Sequence, residues 1–240
     1  MTNTITTNIL SEFYDVPACV FAKDGQVVSA ALGQNAYDAY IKAFDYNPAE
    51  MFEKTVGFSV SPDEQCKKHI NACKAKLLEI KGDLKDHKKN VINSALSDSD
   101  ADAENARILA LSLDKNKFKV ATKTVPTSEQ IEDAIFAWKI SKYLNRESVL
   151  IAKDFKTIAL FQDEKDIEEG VEKALSFGCE NTKNSAICIS SDELTTHIIH
   201  ACVQARVGVL IYSGENIQNT ELVKLADKYN LAILITGIRI

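Results

Sequence analysis

The sequence predicts an α/β protein of two related halves, each a mixed sheet covered by helices on both faces. Three observations predict it. From residue 126 onward helical and strand-like segments alternate in a regular order. A short pattern in the first half reappears in the second. The bulk composition, 45% hydrophobic and 26% charged over 240 residues, is that of a chain with a packed core.

The second half is the more regular. Pro126-Thr127-Ser128-Glu129-Gln130 reads as a helix start, because the Thr127 hydroxyl can accept the amide three residues on while Gln130 reaches back to close the box. The helix runs to about Tyr143. Two apolar runs, 148–153 and 157–161, are separated only by Asp154-Phe155-Lys156, which predicts an antiparallel hairpin. A helix over 164–177 stops at Gly178, and a strand over 185–189 leads to Ser190 and Glu193, spaced as a capping box. Beyond it come a helix over 192–205, a strand over 207–212, a helix over 220–229 and a strand over 231–236. The order α-β-β-α-β-α-β-α-β implies a mixed sheet between helical layers.

In the first half, Val20-Phe21-Ala22-Lys23-Asp24-Gly25-Gln26-Val27-Val28 lines up with Leu150-Ile151-Ala152-Lys153-Asp154-Phe155-Lys156-Thr157-Ile158. Both copies read apolar strand, Ala-Lys-Asp turn, apolar strand, then helix. This predicts an internal duplication, with halves at 1–121 and 122–240. Ser61-Pro62-Asp63-Glu64 predicts a helix with proline at its first position, running to about Ile80. A second helix is expected near 83–96, an exposed acidic loop over 97–104 and a strand over 107–113.

Composition narrows the function. No run approaches the roughly 20 apolar residues that cross a bilayer, and MTNTITTNIL lacks the basic flank and apolar core of a secretion signal. A cytoplasmic protein without membrane association is expected, and its six cysteines should be free and mostly buried. A net charge of −6 with no basic stripe argues against a nucleic-acid partner. Cys66, His69 and Cys73 share one helical face and could ligate zinc, but with no Cys-x-x-Cys and no fourth ligand the reading is thiols lining a buried stripe. His197 and His200 with Cys202 look metal-like, but histidines at i and i+3 are read as a helix edge meeting solvent, and no metal is predicted. The zinc-deaminase signature, His-x-Glu with Pro-Cys-x-x-Cys, is absent, which disfavours deaminase chemistry.

Several motifs together resemble a known family. Pro126-Thr-Ser-Glu-Gln with Phe136-Ala-Trp-Lys-Ile is similar to a PTxEE…FAWKVVK stretch, and Ala152-Lys153-Asp154 to an AKDG hairpin. Leu225-Ala226-Asp227-Lys228-Tyr229 and Thr236-Gly237-Ile238-Arg239 resemble AADE(Y/H)G…TGVRH. Val16-Pro17-Ala18-Cys19-Val20 resembles EPAAVIVKH, and Ala39-Tyr40-Ile41-Lys42-Ala43-Phe44-Asp45 resembles AYxxAYxxDP. These are motifs of the transformylase domain of the bifunctional purine-biosynthesis enzymes that formylate AICAR and then close the ring to IMP. The likeness spans nearly the whole chain. It implies two cytidine-deaminase-like three-layer subdomains with mixed sheets, a homodimer, and purine nucleotide or folate ligands, with formyltetrahydrofolate as the cofactor if the chain is active. The cyclohydrolase domain of the family has no counterpart in the sequence, so ring closure is not expected.

The resemblance weakens where the chemistry lies. The Lys-His pair of the family becomes Lys23-Asp24, and its Asn-Pro-Cys-Gly loop is lost. An imidazole near pKa 6.5 exchanges protons at neutral pH, which an ordinary carboxylate does not. The Lys-Ser-Asn of the family is Asn145-Arg146-Glu147, and its GxGxGQMSR is Ala159-Leu160-Phe161-Gln162-Asp163-Glu164-Lys165, so glycines that admit a ligand give way to bulky and acidic groups. Of SDAFFPF and the PGGS turn only Ser191, Asp192 and Gly214 persist. The resemblance therefore nominates Lys23 as the candidate catalytic residue and Lys153, Ser191, Asp192, Gly214 and Asn216 as candidate ligand-binding residues. The expected function is a divergent nucleotide- or folate-binding or regulatory homologue with most catalytic motifs lost. The alternatives are an active AICAR formyltransferase and a structural homodimer.

Overall fold

A computed structural model describes residues 2–97, 118–145, 147–191, 194–212 and 220–236. The chain separates into two compact units, Met1–Ala110 with Phe155–Thr157, and Leu111–Asp154 with Ile158–Ile240. The first contains α1 (Thr2–Ser11), β1 (Ala18–Lys23), β2 (Gln26–Leu32), α2 (Ala36–Phe44), β3 (Thr55–Phe58), α3 (Glu64–Ala72), β4 (Lys76–Leu77) and α4 (Leu84–Ser97). The second contains β5 (Lys119–Val120), α5 (Ser128–Ser141), β6 (Ser148–Lys153), β7 (Lys156–Phe161), α6 (Ile167–Gly178), β8 (Ala186–Ser190), α7 (Thr196–Gln204), β9 (Val209–Tyr212), α8 (Thr220–Lys228) and β10 (Ala232–Ile235).

Each unit is α/β with a mixed arrangement of strands. In the first the neighbour order is β4-β3-β1-β2, with β1 antiparallel to β2 and β3, and β3 parallel to β4. In the second it is β7-β6-β8-β9-β10-β5, with β6 antiparallel to β8, and β8, β9 and β10 parallel. Helix, hairpin, helix, strand, helix, strand, helix is thus traversed twice with one neighbour order, as the repeated Ala-Lys-Asp pattern implies. Both hairpins turn on two residues of positive φ, Asp24 (50°) with Gly25 (89°) and Asp154 (53°) with Phe155 (57°). That is the geometry whose twist matches the flanking strands.

Strand alternation sorts the side chains between helical layers. In the second unit Val149, Ile151, Ile187, Ile189, Leu210 and Ile233 form one cluster with Val171 and Ala174 of α6, Ile198 and Cys202 of α7, and Leu222 of α8. The alternate positions Leu150, Cys188, Val209 and Ile211 are equally buried on the face that carries α5. In the first unit Cys19, Phe21 and Val56 pack with Tyr40 of α2 and Ile70 of α3. The opposite face carries α1, which lies so close over Gly57 that an added Cβ would meet Thr6 Cγ2 at 2.8 Å and Leu10 Cδ1 at 2.9 Å.

Helix starts follow cap chemistry. The Thr127/Gln130 capping box forms as predicted, with both reciprocal bonds present. Other starts differ from expectation. The helix predicted to run from Pro62 to Ile80 is capped by Asp63, which accepts the Cys66 amide, and it ends at Ala72. Lys74 then takes a left-handed φ of 52°, and Lys76 and Leu78 donate to the Lys54 and Val56 carbonyls to form the β3–β4 ladder. Non-local pairing outweighs helical propensity there. Ser190 does not cap α7: it ends β8 opposite Ser148, and Thr195 caps the helix instead. The strand expected over 107–113 lies outside the described residues. Lys119–Val120 pairs with β10 and so belongs to the second unit. Among the described residues no helix is long and apolar enough to cross a membrane.

Candidate functional site

The Lys23 hairpin is the first candidate. β1 is buried from Ala18 to Ala22 and only Lys23 emerges, because the strand leaves the core where the turn begins. Lys23 pairs with Gln26 across the two-residue turn, and Lys23 and Asp24 are both exposed. Among the described residues no carboxylate or carbonyl holds the Lys23 ammonium. The equivalent hairpin of the second unit differs in this respect. Lys153 donates to the Lys183 carbonyl at 2.9 Å, and the Asp154 amide donates to Asp133 Oδ2 of α5 at 3.0 Å. The second turn and its lysine are thus held by neighbouring parts of the second unit.

The remaining candidates divide by position. β6 and β8 are antiparallel, with Ser148 opposite Ser190 and Ala152 opposite Ala186. Lys153 therefore lies at one end of this sheet, and Ser191, just past β8, at the other. Ile189 pairs with Tyr212 in the parallel β8–β9 ladder, so the chain leaves the sheet at Ser191 and after Tyr212 side by side. Strand carboxyl ends of this kind are where α/β folds gather ligands. Asp192, Gly214 and Asn216 lie outside the described residues.

The two thiol and histidine groups are parts of cores. Cys66 and Cys73 are buried under α3. His69 Nδ1 lies 3.0 Å from the Tyr40 hydroxyl and 3.8 Å from Cys73 Sγ, and its ring meets Tyr40 and Phe44 edge-on. Burial, with the neighbouring thiols adding to it, holds the Tyr40 phenol well above its ordinary pKa. Burial likewise pushes Cys66 up to about 11. His197 lies 2.8 Å from Glu172, His200 meets the Tyr229 ring edge, and Cys202 points into the core. Among the described residues no group of three His, Cys, Asp or Glu side chains is arranged to hold a metal ion. A cavity lined by Tyr14, Ser61 and Lys85 had no signal in the sequence, since its walls come from three separate loops.

The family model of the AICARFT/IMPCHase bienzyme matches residues 3–162. The chain belongs to this family. The bifunctional purine biosynthesis protein PurH of Caldicellulosiruptor saccharolyticus is 27% identical over 248 residues, covering 96% of this chain and 48% of its own length. That of Acetivibrio thermocellus is 27% identical over 253 residues, with coverage of 96% and 49%. That of Persephonella marina is 26% identical over 253 residues, with coverage of 97% and 49%. The chain spans about half the length of the curated relatives it matches. Within this AICARFT/IMPCHase member, the matched region contains the first unit from residue 3 onward and both Ala-Lys-Asp hairpins.

Proposed function

We propose that this AICARFT/IMPCHase family member is a cytoplasmic homodimer that binds a purine nucleotide or folate-type ligand, with formyl transfer impaired or lost. The observation that carries this reading is the Lys23-Asp24 turn. Formyl transfer requires the carboxamide amine to lose a proton as the formyl carbon is attacked, and an acid or base poised near neutrality does this best. Asp24 stands where the family motif has histidine, and it is exposed on a tight turn. The imidazole of the family motif, whose ordinary pKa lies near neutrality, is therefore missing from this turn. Lys23 can still attract an anionic group, which favours binding over turnover.

A second reading rests on the same lysine. Lys23 is retained and exposed, and among the described residues no carboxylate or carbonyl holds it, so a working formyltransferase could use it with rearranged partners.

Calorimetric titration with AICAR and with formylated tetrahydrofolate, followed by a turnover assay on the unaltered chain and on Lys23→Ala, separates the two. Binding without turnover is expected. Turnover that Lys23→Ala abolishes supports the enzyme instead, and no binding of either compound removes both readings in favour of a scaffold.

A further inference from the structure

The carboxyl ends of the parallel strands β3 and β4 open into a cavity of about 460 Å³, within the roughly 300–1,000 Å³ of small-molecule sites. It does not belong to the Lys23 hairpin. β1 pairs antiparallel with β3, Cys19 opposite Phe58 and Ala22 opposite Thr55. The cavity therefore lies beyond the start of β1 and Lys23 at its end, about 17 Å apart at ~3.3 Å per strand residue.

Its walls are fixed before any ligand arrives. Ser59 Oγ accepts the Ala18 amide at 2.8 Å and donates to the Val16 carbonyl at 2.6 Å, which pins the β3–α3 loop to the segment carrying Tyr14. Asp83 accepts the Lys85 amide at 2.7 Å and fixes the start of α4. Inside the cavity Tyr14 (38% exposed) and Val60 (37% exposed) present apolar surface without being covered.

The charges select the ligand. Lys85 Nζ stands 5.9 Å from the Tyr14 ring centroid, and among the described residues no carboxylate pairs with it. Lys88, also beside that ring at 6.0 Å, is by contrast bound to Glu12 at 3.0 Å. One free ammonium beside one aromatic platform matches a ring bearing a single negative charge. Glu79 also lines the cavity and repels a multiply charged phosphate ester more than a singly charged group, and the Asp63 and Asp83 carboxylates already accept amides at the starts of α3 and α4. The geometry points to a second ligand site, for a small aromatic carboxylate whose ring lies against Tyr14 and Val60 and whose carboxylate meets Lys85 and the Ser61 hydroxyl.

Benzoate and its uncharged analogue benzamide are the probes, titrated calorimetrically into the full chain. Benzoate is expected to bind saturably and benzamide roughly ten-fold more weakly, as befits a charged hydrogen bond. Lys85→Ala removes that preference and Lys85→Arg keeps it. Ser61→Trp, at an exposed position on the wall, blocks binding, whereas Lys23→Ala leaves it unchanged. The assignment is overturned if benzamide equals benzoate, if Lys85→Ala binds benzoate as before, if no saturable binding occurs, or if Lys23→Ala abolishes it.

Discussion

At residue scale, Lys23 and Lys153 occupy the same place in two copies of one hairpin, yet their surroundings differ. Lys153 and the turn beside it are held by the Lys183 carbonyl and by Asp133, whereas among the described residues no carboxylate or carbonyl holds the Lys23 ammonium. That asymmetry makes Lys23 the residue to mutate first. The buried thiols give a separate prediction. Burial pushes the pKa of Cys66 up to about 11 and those of Cys188 and Cys202 up to about 12, all above the roughly 8.5 of a free thiol. Between those values the unfolded chain releases protons that the folded chain keeps, so stability present below about pH 8.5 is lost as pH rises through the folded values. Urea midpoints should fall from about pH 8 to about pH 10.5, and Cys188→Ala with Cys202→Ala should flatten the slope. An unchanged slope in that double variant would show that the thiols do not carry the effect.

Among the elements, helix boundaries follow local hydrogen bonds wherever a cap decides them and fail wherever a distant strand does. Thr127 and Gln130 are legible because the box closes within four residues. The end of α3 is not, because it is set by β3, a strand whose partners lie far away in the chain. The closeness of α1 to the sheet is another non-local fact. Gly57→Ala places a methyl group against Thr6 and Leu10, both fully buried and unable to swing away. Overpacking of this kind costs about 1–3 kcal/mol. A lowered urea midpoint with an unchanged m-value is expected, and an unaffected midpoint would mean that α1 shifts freely.

Considered as a whole molecule, the chain contains two units that run through one strand topology and differ at their loops. The two units share strand order and hairpin geometry, while the cavity near Tyr14 belongs to the first alone. The proposed homodimer is a matter of mass: light scattering should give twice the 26.5 kDa of one chain. A monomer at micromolar concentration would remove that part of the proposal and leave the binding experiments unaffected.

The sequence by itself determined the α/β class, the hairpins and the family. Each of these is written in contiguous residues: alternation within a strand, a two-residue turn, a cap three residues from its acceptor. Only the tertiary structure decided that Lys153 and Ser191 stand at opposite ends of one sheet, that Cys66 and Cys73 line a core, and that Tyr14 and Lys85 face one cavity. Those relations depend on strand register and on which loops leave the same edge of a sheet. Such positions follow from the summed packing of residues distant in the chain, and no local pattern encodes them.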